Sequence, residues 1–372
     1  MDTENTKEEI KFSNGDVHRD VSLEIKEKMK KNVLYISMFS IFMVFVGLTS
    51  GYVVSMGDSF WVKFPMPKGF WMSTTVIVFS SLFVQLGISF AKKGNQKLSK
   101  LFVVFTFVFG LLFVYFQLKG YSQLIDRGSH LRGDIMVVEG RYGSTGDDGR
   151  YYGYYEVKMN DQFIEISGND YLINGKKMTD AQFTELQKAV APFEKYSEKS
   201  PIDLSGLSAK FQLYYKQQPI SIINNELCLP DSSSLQFVDL NRLKSLAINI
   251  GDKRGDFFVE GQIGKDFHVY YKRKELNYKN RMWEYNGKIL DDYLQTKPLE
   301  SPDTASSYLW LITLLHLAHI LFTLFYMGKM TIYSLSGRFT TENTLSLKLG
   351  AIFWHFLGIL WVYLLLFLLF IH

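Results

Sequence analysis

Cysteine is almost missing from this chain of 372 residues: Cys228 stands alone. A single thiol excludes an intrachain disulfide. The absence of any CxxC or CxxCH run excludes the usual cysteine frames for zinc, iron–sulfur clusters and covalent haem. Cys228 is expected to be a buried, inert thiol. No basic block is long enough to grip a phosphate backbone, and the net charge is only +4, so nucleic acid is not an expected partner. HExxH, a calcium-loop spacing of acids and a nucleophile elbow are absent as well.

Charge is missing in a patterned way. Crossing the hydrocarbon takes about 20 mostly apolar residues. Five segments qualify without one Asp, Glu, Lys or Arg: 33–54, 70–90, 101–118, 307–327 and 349–371. The first is too long for a signal-peptide core and lacks a small-residue cleavage site, so it is expected to be retained. The chain then divides into a tail (1–32), helices one to three (33–119), a polar block (120–305) and helices four and five (306–372). The expected fold class is membrane all-α: a five-transmembrane-helix bundle with an inserted mainly-β (α+β) soluble domain between helices 3 and 4.

Basic residues orient the spans. Lys26, Lys28, Lys30 and Lys31 precede the first; Lys92, Lys93, Lys97 and Lys100 separate the second from the third; Lys329, Arg338 and Lys348 separate the fourth from the fifth. Lys63 and Lys68 lie in the opposite loop. The excess places the N-terminus in the cytoplasm, and 120–305 and the C-terminus outside, for a multi-pass protein of a bacterial inner membrane.

Within the polar block, β-rich runs recur at 135–140, 151–159, 162–168, 211–217, 245–251, 256–264 and 266–276. Asn-Gly pairs at 174–175 and 286–287 signal tight turns. A helix is expected at 180–195, capped by Thr179 or Asp180, with Phe183, Leu186 and Val190 as its apolar stripe. NGKKMTD (174–180) echoes NGKILDD (286–292); a repeated unit and a chance likeness of two turns are both open. His130 and His268 stand singly and are expected at the surface or in packing. The aspartates of GSTGDDGRYYG (143–153) lack calcium-loop spacing and read as a solvated turn.

Small polar and aromatic residues punctuate the spans. Segment one has Ser40, Phe45, Gly47 and Tyr52. Segment two has Ser73-Thr74 and Ser80-Ser81. Segment three has Gly110, Phe113, Gln117 and Tyr121. Segment four has Thr313, His316 and His319, and segment five has Trp354-His355-Phe356 and Trp361. In order and spacing these resemble subunit III of the haem–copper oxidases, the cytochrome c oxidase subunit 3 family, in its five-helix bacterial form. The likeness covers the spans and says nothing of 120–305. It departs at three carboxylates: Ile41, Gly120 and Gly358 stand where the family places Glu, Glu and Asp. Leu314 and Leu317 replace the glycines of its histidine motif.

The resemblance implies a non-redox accessory subunit that binds neither haem nor copper itself. Subunits I and II would carry those centres and would be its partners, in an oxidase that couples O2 reduction to proton pumping. It implies phospholipid in a V-shaped cleft, lined by segments one and two against three to five. It gives Ser73, Thr74, Ser80, Ser81, Gln117, Tyr121, His316, His319, Trp354, His355 and Trp361 helix-packing or lipid roles, with no catalytic or metal residue. Trp71 and Trp310 are expected near the headgroup belts. The inserted block would face cytochrome c, gripping subunit II, a donor or a neighbouring respiratory complex. The alternatives are a membrane-anchored envelope binding protein with a β-rich extracytoplasmic domain, a membrane haem protein using the three histidines as ligands, and, least favoured, a transporter.

Overall fold

In a computed structural model the structure describes residues 23–57, 59–137, 143–145, 151–195, 210–223, 226–336 and 345–371. Five helices are long and apolar enough to cross a membrane: α1 (Leu23–Ser55), α2 (Lys68–Lys92), α3 (Gln96–Ile125), and, after the polar block, α7 (Thr304–Leu335) and α8 (Leu345–Phe370). The first four overrun the expected spans at both ends, and α8 starts before its expected span and ends one residue short of it. Asn95 accepts the Leu98 N–H to start α3, and Asp303 accepts the Ser306 N–H to start α7.

Helices α2 and α3 approach most closely. A Cβ on Gly69 would lie 2.5 Å from the Gly120 nitrogen, and one on Gly120 would lie 2.5 Å from the Phe70 ring. Ser99 donates to the Gly87 carbonyl across the same seam. Helix α8 packs on α2 and α7, and α1 on α7 and α8. The closest crossing therefore joins one segment from each side of the expected division, one and two against three to five. Glycines at the crossing lock segment two to segment three, as small residues do in membranes.

The polar block opens on an antiparallel pair, β2 (Gly143–Thr145) and β3 (Tyr151–Gly153), and then contains three copies of one unit. In the first, β4 (Tyr155–Met159), β5 (Gln162–Ser167), β6 (Asp170–Ile173) and β7 (Lys176–Lys177) lead into helix α4 (Asp180–Glu194). In the second, β8 (Phe211–Tyr215), β9 (Gln218–Pro219), β10 (Ser221–Ile223) and β11 (Glu226–Cys228) lead into α5 (Phe237–Gly251). In the third, β12 (His268–Tyr271), β13 (Lys274–Glu275), β14 (Asn277–Lys279), β15 (Met282–Tyr285) and β16 (Lys288–Ile289) lead into α6 (Asp292–Glu300). The first hairpins turn at Asn160–Asp161, Lys216–Gln217 and Lys272–Arg273, each pair at positive φ and each 56 residues from the next. Strand registers keep the same spacing. Lys158 faces Phe163, Tyr214 faces Pro219 and Tyr270 faces Glu275; Ile166 faces Tyr171, Ile222 faces Leu227 and Tyr278 faces Trp283. The echo of NGKKMTD in NGKILDD is thus a true structural repeat, and a third copy lies between them.

The first two units pair through β4 and β8, with Tyr155 opposite Tyr215 and Met159 opposite Phe211. They share a core around Leu186, Phe193, Leu243 and Ile250. The third unit finds its partner strand elsewhere. The loop between α1 and α2 forms β1 (Phe60–Lys63), which pairs with β12 so that Phe60 faces Tyr271 and Val62 faces Val269. This unit's core is continuous with that of the helical bundle.

Local expectations fare unevenly. The helix at 180–195 runs Asp180–Glu194 with a Thr179–Gln182 capping box. The run 245–251, expected as a strand, belongs to α5: Leu243, Leu246, Ala247 and Ile250 are buried at helical spacing, and that stripe outweighs the period-2 look of its isoleucines. Of the runs expected at 135–140 and 256–264, the described residues supply isolated bridges, Met136 to Phe257 and Ile263 to Phe267, and residues 138–140 lie outside the described residues. Asp147, Asp148 and Arg338 lie outside them.

Candidate functional site

Most of the polar residues singled out in the spans lie where α2 meets α3 and α8, with α7 packed on α3 and α8. A helix that buries a hydroxyl or imidazole must pair it. Ser73 and Thr74 both donate back to the Phe70 carbonyl, at 2.8 and 2.7 Å. Their oxygens then accept from other helices: Gln117 Nε2 of α3 donates to Ser73 at 2.8 Å, and Trp361 Nε1 of α8 donates to Thr74 at 2.8 Å. About two turns further along, Trp354 Nε1 donates to Ser80 Oγ at 3.1 Å, and Ser80 donates to the Thr106 carbonyl at 3.0 Å. Ser73, Ser80, Gln117, Trp354 and Trp361 are all buried. Each hydroxyl is therefore a relay, fixed by its own helix and read by another.

His316 is fully buried, and its Nε2 lies 2.9 Å from the Leu357 carbonyl of α8. A carbonyl only accepts, so Nε2 carries the proton. The ring lies against Trp361 at 5.3 Å and edge-on to Phe113 at 6.2 Å. His319 Nδ1 donates at 2.7 Å to Leu315 of its own helix. The two rings thus do different work despite their shared spacing: one ties two helices, the other folds back on its own. His355 is half-buried and makes no hydrogen bond among the described residues. Ser81 faces Gly358, where an added Cβ would lie 3.3 Å from its Oγ. Tyr121 stacks on Trp310 at 4.9 Å and meets Phe70 edge-on. Among the described residues no three His, Cys, Asp or Glu side chains are grouped closely enough to hold a metal ion.

Three departures from the resembled family acquire a physical setting. Phe70 occupies the space a side chain at 120 would need. Gly358 packs against Ser81, and Ile41 joins the apolar core. None of the three leaves an uncharged gap waiting for a carboxylate.

A second cluster lies where the bundle meets the polar block. Trp310 Nε1 donates to Ser129 Oγ at 3.2 Å, and Ser129 to Ser306 at 3.0 Å. Trp310, expected near a headgroup belt, is instead a buried strut; Trp71 is 47% exposed and free to fill that role. Asp303 is buried beside this cluster, and burial lifts its carboxyl to about 6 against the Ser306 bonds that lower it. Sequence reasoning missed Thr106, Ser129, Asp303 and Ser306. The signal on α3 was a buried stripe, Ser99, Thr106, Gly110 and Gln117, at helical spacing.

No protein-family model matches this chain, and no curated protein matches it.

Proposed function

We propose that this chain is an accessory, non-redox subunit III of a respiratory haem–copper oxidase. It would brace the catalytic subunit and hold phospholipid beside it while O2 is reduced. One observation carries the reading. Residues of the resemblance drawn from three separate spans bond to each other, Trp354 to Ser80, Trp361 to Thr74 and Gln117 to Ser73, and His316 of a fourth span bonds to the backbone carbonyl of Leu357.

On this reading the interior ties set the rigid shape that a large neighbour packs against. Interhelical bonds in membranes contribute about 0.6 kcal/mol each, so their value lies more in geometry than in stability. Proton supply through this chain is not part of the proposal, because Ile41, Gly120 and Gly358 offer no titratable group. The lysines at the α2–α3 turn and on α7 and α8 would face the cytoplasm. The three repeats would stand on the donor side, beside subunit II. Cytochrome c or a neighbouring respiratory complex is a further partner consistent with that placement.

The test is purification of the tagged full chain in mild detergent from its own membrane, with an optical spectrum and identification of the chains that accompany it. A haem spectrum that travels with a large polytopic partner, and leaves when that partner is stripped, is the expected result. A haem-free preparation without such a partner overturns the proposal and favours the envelope-protein reading. Haem retained by the stripped chain favours the ligand reading of the histidines.

A further inference from the structure

The first unit is split by a cleft. Its strands β4 and β5 pair only at Lys158–Phe163 and Met159–Gln162. Beyond those pairs β4 stays with β8, while β5 turns away to follow β6. The strands splay, and a cleft of about 360 Å³ lies between them. Small-molecule sites are typically about 300–1,000 Å³. Leu186 and Ile250, 0% and 2% exposed, line its inner end, and half-buried Glu156 and Arg281 line its outer end.

The charged groups of the lining are Glu156, Glu165 and Arg281. Arg281 is held by the buried Asp256 carboxylate through Nε and Nη2. Lys158, on the same strand as Glu156, donates to the Tyr214 hydroxyl at 2.9 Å and lies over that ring. Glu156 makes no hydrogen bond among the described residues, and burial raises its carboxyl against the pull of Arg281 and Lys158. A half-buried carboxylate of this kind gains from a donor that carries positive charge. The rest of the wall is apolar. Tyr155 and Tyr171 are buried with their hydroxyls engaged by the Asp239 and Arg254 carbonyls, which leaves their rings for a ligand. A bare metal ion fits poorly, since no group of three His, Cys, Asp or Glu suited to one exists among the described residues.

The third unit supplies the comparison. It has Tyr278 and Trp283 where the first has Ile166 and Tyr171. Those larger side chains pack on Phe257 at 4.9 and 5.6 Å, and Trp283 is fully buried. In the first unit the smaller pair lines the cleft. We propose that this cleft binds a small aromatic amine, with its ammonium on Glu156 and its ring among Ile164, Ile166 and Leu186. The third unit fills its interior with an indole of its own; the first takes a comparable body from outside. The site does not rest on the oxidase reading.

The experiment is photolabelling of the full chain, in mild detergent with the proteins that accompany it, by 5-azidotryptamine, followed by mapping of the labelled peptides. The expected result is label within 153–175 that tryptamine displaces. Tryptophol, its neutral analogue, should need about tenfold more, because it cannot supply the charged donor. Glu156→Gln keeps the shape of the side chain and should lower the labelling about tenfold. Ile166→Trp, which fills the cleft from within, should abolish it; should that variant fold poorly, Glu156→Gln still decides. Label confined to the spans overturns the proposal, as does equal displacement by tryptamine and tryptophol, or labelling that Glu156→Gln does not change.

Discussion

Val62 lies directly opposite Val269 across an antiparallel ladder, and neither side chain is more than 1% exposed. The short link between the first two spans is thereby a working strand of the third repeat. Membrane bundle and polar block share one core at this point.

That pairing predicts a localised failure. Val62→Asp buries an unpaired carboxylate against the third unit and should cost about 3 kcal/mol or more. Amide exchange should accelerate across 268–285 and stay near normal across 155–194, whose core is separate. Uniform acceleration of both regions would show that the two cores are not independent.

Arg281 and Asp256 make a second, chemically different junction. Asp256 is fully buried and accepts Arg281 Nη2 at 2.6 Å and the Tyr278 hydroxyl at 3.1 Å. Removing the cation alone strands a buried charge, so Arg281→Ala should destabilise by about 3–5 kcal/mol. Asp256→Asn combined with Arg281→Ala should recover part of that loss. Thermal unfolding of the two single variants and the double variant measures the coupling; simple additivity would refute it.

Gly120 predicts a steric penalty. Ala at this position brings its Cβ to 2.5 Å from Phe70 and should cost about 1–3 kcal/mol. Gly47→Ala, with nothing within 4 Å of the added carbon, should be neutral or mildly stabilising. Unfolding in mixed detergent micelles would compare the two; equal effects would mean the α2–α3 seam is not tight.

Asp303 predicts a pH dependence with a definite sign. Its folded carboxyl titrates near 6, above the ordinary value of 3.8. The folded state therefore holds its proton more firmly than the unfolded one, and stability falls as pH rises from about 4 to 6. The full shift corresponds to about 3 kcal/mol as an upper value. Asp303→Asn keeps an acceptor for the Ser306 N–H and should flatten this part of the profile. An unchanged profile in the variant would assign the dependence elsewhere.

Much of the bundle was legible because its signal is local. A run of about 20 uncharged apolar residues can be counted without knowing its neighbours, and the Thr179 cap lies three residues from the Gln182 it bonds. The run 245–251 was misread because Ile248 and Ile250 alternate with polar residues, while the stripe that decides the matter begins earlier, at Leu243. The repeat was half-hidden for a related reason. What the three units share is turn geometry and strand register, and residues as unlike as Asn-Asp, Lys-Gln and Lys-Arg adopt the same left-handed turn.

The candidate site divides in the same way. Ser73, Ser80, Gln117, His316, Trp354 and Trp361 could be picked out as polar marks on apolar helices. Which of them meet was invisible, since Trp354 and Ser80 are 274 residues apart in the chain.

By itself the sequence determined the number of spans, the place of the polar block and the lack of charge in the bilayer. Each of these follows from the free energy of transferring side chains between water and hydrocarbon, a property summed residue by residue. Only the tertiary structure decided that a strand of four residues in the α1–α2 link completes the third repeat, and that α2 locks to α3 through glycines. Those outcomes depend on which surfaces meet across distant chain, and no local sum contains that information.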